Sequence, residues 1–184
     1  GVIPARYKSS RLPGKPLIDF HGKPMIYWVA KRVEASIIKE YYVATDDTRI
    51  LDVCNKYSIP CIMTSEDCIN GTERVAEVST KVEAEYYVNI QGDEPCINVE
   101  AINKIVMSLN NYKDIAYIQA ISKLNDQNKI LDDSLVKVVV SDNFEILYYS
   151  RLPIPFHQEK NSLVNHSYYR CLGLYLYHKD LLSK

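Results

Sequence analysis

Val2-Ile3-Pro4-Ala5-Arg6-Tyr7-Lys8-Ser9-Ser10-Arg11-Leu12-Pro13-Gly14-Lys15-Pro16-Leu17 is the stretch from which the rest of the chain can be read. The apolar Val2-Ile3 leads directly into four cations, Arg6, Lys8, Arg11 and Lys15, spread over ten residues. Pro13, Gly14 and Pro16 forbid a regular helix there, since proline cannot donate to a helical ladder and glycine costs extra backbone entropy. A cationic loop at the end of a strand is a place to hold phosphates. Four charges taken alone could equally be a solvated basic turn, so the reading depends on whether later segments agree with it.

They do, because strand-length apolar runs alternate with amphipathic helices from there onward. Residues 25–35 place Met25, Ile26, Val29, Ala30 and Val33 at helical spacing, with Pro24 suited to the first turn. Residues 41–45 read as a buried strand, and Asp46-Asp47 opens a helix that runs through Tyr57. A short strand at 61–63, a helix at 72–82 entered through Asn70-Gly71, a strand at 86–90, a helix at 99–109 capped by Asn98 and a strand at 115–121 follow. This alternation predicts an α/β fold: a Rossmann-like, mostly parallel sheet with helices on both faces. Ligands in such sheets sit beyond the carboxyl ends of the strands. The loops at Ala5–Lys15, Thr45-Asp46, 64–71 and 91–95 should therefore open on one edge.

From Leu135 the texture changes to strands at 136–140, 146–149 and 168–177 joined through Pro153, Pro155 and a polar stretch, which predicts a small antiparallel extension suited to self-association. The sequence reading is one domain over 1–184, with an α/β core at 1–134 and a mixed-strand extension at 135–184. Lys137 reads either as an edge charge that blocks unwanted pairing or as a group near a substrate. Arg74 and Glu77, three apart on a helix, read as a surface pair.

Composition narrows the function classes. With 184 residues, 47% of them hydrophobic, the chain can bury a core, and 22 basic against 23 acidic residues leave no global field to attract nucleic acid or an anionic membrane. No window approaches the ~20 apolar residues of a membrane span, so a cytoplasmic location is expected. Five cysteines without a Cys-x-x-Cys pair, and four histidines without helical metal spacing, argue against a zinc site and a disulfide framework.

The strand-end loops together supply cations at Arg6, Arg11 and Lys15, the carboxylates Asp93-Glu94, and small-residue backbone at Asn70-Gly71-Thr72. Nucleotidyl transfer needs that combination: cations spread over a polyphosphate, and a carboxylate to anchor a magnesium ion on phosphate oxygens. The opening is not a Walker A sequence, and no dinucleotide fingerprint is present.

Four blocks, IPARYKSSRLPGKPL, INGTERVAEV (69–78), VNIQGDEP (88–95) and YYSRLPIP (148–155), resemble in order and spacing the signature blocks of the 3-deoxy-manno-octulosonate (Kdo) cytidylyltransferases, the CMP-Kdo synthetases. The resemblance implies a nucleotide-diphospho-sugar transferase fold, a homodimer, Mg2+ as cofactor, and coupling of CTP to Kdo with release of pyrophosphate for surface polysaccharide synthesis. It implies that Ala5, Arg6, Arg11 and Lys15 hold CTP, with Arg11 and Lys15 offsetting charge as pyrophosphate leaves. Asn70, Gly71 and Thr72 would read the cytosine, Gln91 would sit between nucleotide and sugar, and Asp93 would bind the metal. Arg151 and Tyr175 match the sugar pocket, where Arg151 could pair with the Kdo carboxylate.

Cys171 and Cys68 stand where the family usually or often has histidine, and the first raises another keto-sugar acid as an alternative substrate. The family's second metal-binding aspartate belongs to a segment that follows the one ending at Lys184. A fragment cut at both ends is the resulting expectation, with a non-catalytic nucleotide-binding module as the remaining alternative.

Overall fold

Four parallel strands follow one another as the alternating pattern requires in the computed structural model, which describes residues 1–8, 12–112, 115–156 and 167–183. Its contacts divide the chain into two units, Gly1–Ile118 with Gly173–Lys184, and Gln119–Leu172.

In the first unit, β1 (Val2–Pro4), β4 (Tyr42–Thr45), β5 (Cys61–Met63) and β6 (Tyr86–Ile90) lie in the order β5-β4-β1-β6, all parallel. The part of β10 (Tyr168–His178) that belongs to this unit pairs antiparallel with β6, Leu174 opposite Ile90. Between β1 and β4 comes a two-stranded hairpin, β2 (Asp19–Phe20) with β3 (Lys23–Pro24), too short for periodicity to announce. The helices are α1 (Met25–Glu34), α2 (Thr48–Lys56), α3 (Gly71–Ser79), α4 (Val99–Met107) and the terminal α6 (Lys179–Leu182). Asp47, Asn70 and Asn98 cap α2, α3 and α4 through side-chain oxygens that accept backbone N–H bonds.

Successive strand side chains point to opposite faces, and helices cover both. Val2, Ala44 and Tyr87 pack with Val75 and Val78 of α3 in one buried cluster. Ile3, on the opposite face from Val2, is buried beside Ile26 of α1, and both approach Gly92. The α/β class with a mostly parallel sheet is therefore present as read from the sequence.

In the second unit, β8 (Lys137–Val140) lies between β9 (Ile146–Ser150) and the first residues of β10, antiparallel to each. Most of β7 (Tyr117–Leu124) and the short α5 (Gln127–Leu131) complete it. Its core is Leu124, Ile130 and Tyr168 with Leu135 against them. The antiparallel extension is as expected, but the sequence placed the division at 134/135. The contacts place it at 118/119 and again inside β10 at 172/173. The cause is long-range pairing: β7 pairs with β10, and α5 packs through Ile130 onto Tyr168.

Lys137 departs from the edge-charge reading. Its strand has a neighbour on each side, and its side chain is buried, donating to the carbonyls of Asp132 and of Arg151, the latter at 2.9 Å. Burial lowers its proton affinity. Among the described residues no helix is long and apolar enough to cross a membrane.

Candidate nucleotide site

Because β1, β4, β5 and β6 are parallel, their carboxyl ends face one edge, and a cleft of about 690 Å3 lies there. The first loop contributes Pro4, Ala5, Arg6, Leu12, Lys15 and Pro16 to its wall. The loop after β5 and the start of α3 contribute Ile69, Asn70, Gly71 and Arg74, and the loop after β6 contributes Gln91, Gly92 and Asp93. Three of the four loops read from the sequence, the first, third and fourth, thus meet in one cleft, and the second, after β4, is tied to it through the Asp46–Arg74 ion pair.

Lys15 Nζ lies 2.6 Å from Asp93 Oδ2, so the first and fourth loops are joined by an ion pair whose side chains are 36% and 47% exposed. Arg6 Nη1 donates to the Ile69 carbonyl at 3.3 Å, joining the first and third. Gln91 Nε2 donates to the buried Asn89 Oδ1 at 3.1 Å, which orients the glutamine amide. Glu94 turns away from the cleft wall: its Oε1 accepts the Gly173 N–H at 3.0 Å while the Gly173 carbonyl accepts from Gln91 N, so both bonds fasten the Asp93 loop to β10.

Asn70 is committed to capping. Its Oδ1 accepts the Glu73 N–H at 2.9 Å, and Glu73 in turn accepts at 2.8 Å from the N–H of Ile69, the residue before the cap. That leaves the start of α3, with its partial positive charge, as the group the third loop presents to the cleft. Thr72 is not on the cleft wall, and its hydroxyl lies 3.2 Å from that of Tyr177. Tyr175 is likewise absent from the wall and stacks on Tyr177 with ring centroids 6.3 Å apart. Arg151 belongs to the second unit, where Nη1 donates to the carbonyls of Asp133 at 3.2 Å and Ser134 at 2.7 Å. Arg11 lies outside the described residues.

The sequence reading missed Arg74. In place of a surface pair with Glu77, Arg74 is only 2% exposed and reaches Asp46 Oδ2 at 3.1 Å and the Thr64 hydroxyl. Glu77 instead pairs with Lys81 at 2.6 Å. The signal was available: Arg74 and Val78 are four apart and share the inward stripe of α3. The same bond explains why Asp47, and not Asp46, caps α2. Asp46 is occupied by Arg74, so the third wall is anchored on the loop after β4.

Comparison with known proteins gives this geometry its relatives. Residues 1–184 match the family model described as Cytidylyltransferase. The 3-deoxy-manno-octulosonate cytidylyltransferase of Idiomarina loihiensis is 43% identical over 192 residues, covering 100% of this chain and 76% of the relative. That of Polynucleobacter asymbioticus is 39% identical, covering 99% and 73%. This chain belongs to the 3-deoxy-manno-octulosonate cytidylyltransferase family. A solved CMP:2-keto-3-deoxy-manno-octonic acid synthetase complexed with CTP superposes with a TM-score of 0.91 at 38% identity, covering 99% of this chain and 74% of that one. HddC from Yersinia pseudotuberculosis, at 14% identity and a TM-score of 0.69, shares the fold alone.

Proposed function

We propose that the chain is a cytidylyltransferase that couples CTP to Kdo. The observation that carries this reading is the convergence of Arg6, Lys15, the α3 start and Asp93 on one cleft, in a family whose members carry that name. The anomeric hydroxyl of Kdo attacks the α-phosphorus and gives up its proton to solvent, the bond to the bridging oxygen breaks, and pyrophosphate leaves. Arg6 and Lys15 hold the triphosphate and offset the charge that develops on the leaving group. The α3 start, through the backbone at Asn70-Gly71, receives the base, and Gln91, fixed by Asn89, borders the reacting phosphate. Arg151 is assigned to the sugar carboxylate. No covalent enzyme intermediate is required.

Among the described residues no three acidic, cysteine or histidine side chains gather as a metal cage. Asp93, half exposed on the cleft wall, fits the other common arrangement, in which magnesium takes one protein carboxylate and completes its shell with phosphate oxygens and water. When bound there, magnesium supplies charge neutralisation for the phosphates. The Lys15–Asp93 pair is exposed enough that Lys15 would turn to phosphate and Asp93 would hold the metal when both are bound.

A homodimer through β9 belongs to the same proposal. β9 ends the strand order, and Phe144, Leu147, Tyr148 and Leu152 on and beside it are each more than half exposed, an apolar edge of the kind that self-association covers.

The test is pyrophosphate release by the purified full-length protein with CTP, magnesium and Kdo. The expected result is release that requires all three and falls by about two orders of magnitude in Lys15→Ala, the loss typical of a missing charge-stabilising donor. Release that is independent of Kdo, or none with any keto-sugar acid, would overturn the reading.

A further inference from the structure

Of the three described cations of the first loop, the two on the cleft wall, Arg6 and Lys15, emerge from either side of a single clamp. Arg6 directly precedes Tyr7, and Lys15 directly follows Gly14. The Gly14 N–H donates to the Tyr7 carbonyl at 2.9 Å, which closes the loop at its base. The Tyr7 ring lies against the same glycine, where a Cβ would come within 3.0 Å of Tyr7 Cε2. That ring is also covered by Arg49, whose guanidinium carbon stands 3.3 Å from the ring centroid.

Arg49 itself is oriented by Asp47 through two parallel bonds, Nε to Oδ1 at 2.9 Å and Nη2 to Oδ2 at 2.6 Å. Such a fork fixes the plane of the guanidinium as well as its position. A planar cation held in this way against a tyrosine restrains the ring by cation–π attraction and stacking. Asp47 is in turn fixed as the cap of α2. A run of contacts therefore leads from the loop after β4, through Arg49 and Tyr7, to the backbone on which Arg6 and Lys15 stand. Neither Arg49 nor Tyr7 is among the described residues lining the cleft.

We infer that Arg49 is a positioning residue for the nucleotide, acting through Tyr7 to hold the cationic loop where Arg6 and Lys15 meet the triphosphate. The inference rests on the proposed CTP site. It distinguishes Arg49 from a structural residue: its side chain is 56% exposed, so its loss should cost the fold little, while the loop it pins should lose order where CTP binds.

The experiment is steady-state kinetics of the full-length protein with CTP and Kdo varied separately, alongside thermal melting. Arg49→Ala should raise KM for CTP about three- to tenfold, in line with the strength of a partly exposed cation–π contact. KM for Kdo should stay within about twofold, and the melting temperature within about 2 °C. Arg49→Lys, which keeps a cation but not the fork, should fall between wild type and Arg49→Ala. Tyr7→Leu should resemble Arg49→Ala, and the double variant should be no worse than the worse single one, because the two act as a unit. An unchanged KM for CTP in Arg49→Ala, or effects of the two variants that multiply, would overturn the inference while leaving the CTP site standing. A wild-type protein with no CTP-dependent turnover would remove the CTP site and this inference together.

Discussion

A single methyl group added at Gly92 should damage both the stability and the chemistry of this protein. A Cβ at that position would lie 2.6 Å from the Pro4 carbonyl oxygen, with Ile26 Cδ1 and Ile3 Cγ2 each 3.6 Å away. Real Cβ atoms essentially never approach closer than 3.0 Å, so β1 and the loop after β6 must separate by at least ~0.4 Å. The obstacle is backbone, which cannot rotate aside, and the surrounding side chains are buried in a close-packed core. Overpacking of this kind costs about 1–3 kcal/mol. For a chain of this size that corresponds to roughly 2–12 °C in Tm.

The two segments pushed apart carry Ala5-Arg6 on one side and Asp93 on the other. A misplacement of about 1 Å can cost a hundredfold in rate, so a shift near half that should lower kcat/KM by about tenfold. Gly22→Ala is the matched control. Gly22 sits at φ 75° in the hairpin turn with nothing within 4 Å of an added Cβ, so that variant meets left-handed backbone strain of roughly 1–2 kcal/mol without touching the cleft. Gly22→Ala should melt a few degrees lower with unchanged kinetics, and Gly92→Ala should lose both. Wild-type kcat/KM and wild-type melting in Gly92→Ala would refute the argument that these two loops meet in van der Waals contact.

Three further outcomes follow from the same geometry. Arg74→Leu strips the guanidinium from a carboxylate whose side chain is only 13% exposed, and should lower stability by about 3 kcal/mol in urea titration, against about 1–2 for Asp46→Asn, which keeps an acceptor. Hydrogen bonds from Arg49 hold Asp47 below its ordinary 3.8, so the stability it contributes is present above that pH and lost as pH falls through the lower folded value. Asp47→Asn should accordingly trail wild type at pH 7, by at most about 1 kcal/mol given the exposure of Arg49, and converge with it in strong acid. Lys137→Met leaves the Asp132 and Arg151 carbonyls without their ammonium donor and should cost about 1–2 kcal/mol, measured by denaturant unfolding at neutral pH.

What could be read from the sequence was what is local. The strand at Tyr42–Thr45 and the helix starts at Asn70 and Asn98 follow from runs of apolar residues and from side chains that cap the next turn. The meeting of the first, third and fourth loops followed from parallel topology alone, because parallel strands must end on the same edge. What escaped depends on partners far along the chain. Asp46 and Arg74 are 28 residues apart, and nothing near either residue names the other. The edge-charge alternative for Lys137 stayed open because its strand's neighbours, β9 and β10, are fixed only by the fold. Arg49 was invisible for the same reason, since its meaning lies in Tyr7, brought to it by the β1–β4 pairing.

The measurement that bears most directly on the account is a crystal structure of the protein with CTP and magnesium. The account requires the triphosphate against Arg6 and Lys15, the base beside Asn70 and Gly71, and the metal on Asp93. A nucleotide bound elsewhere, or bound in the cleft with its phosphates turned away from Lys15, would contradict it.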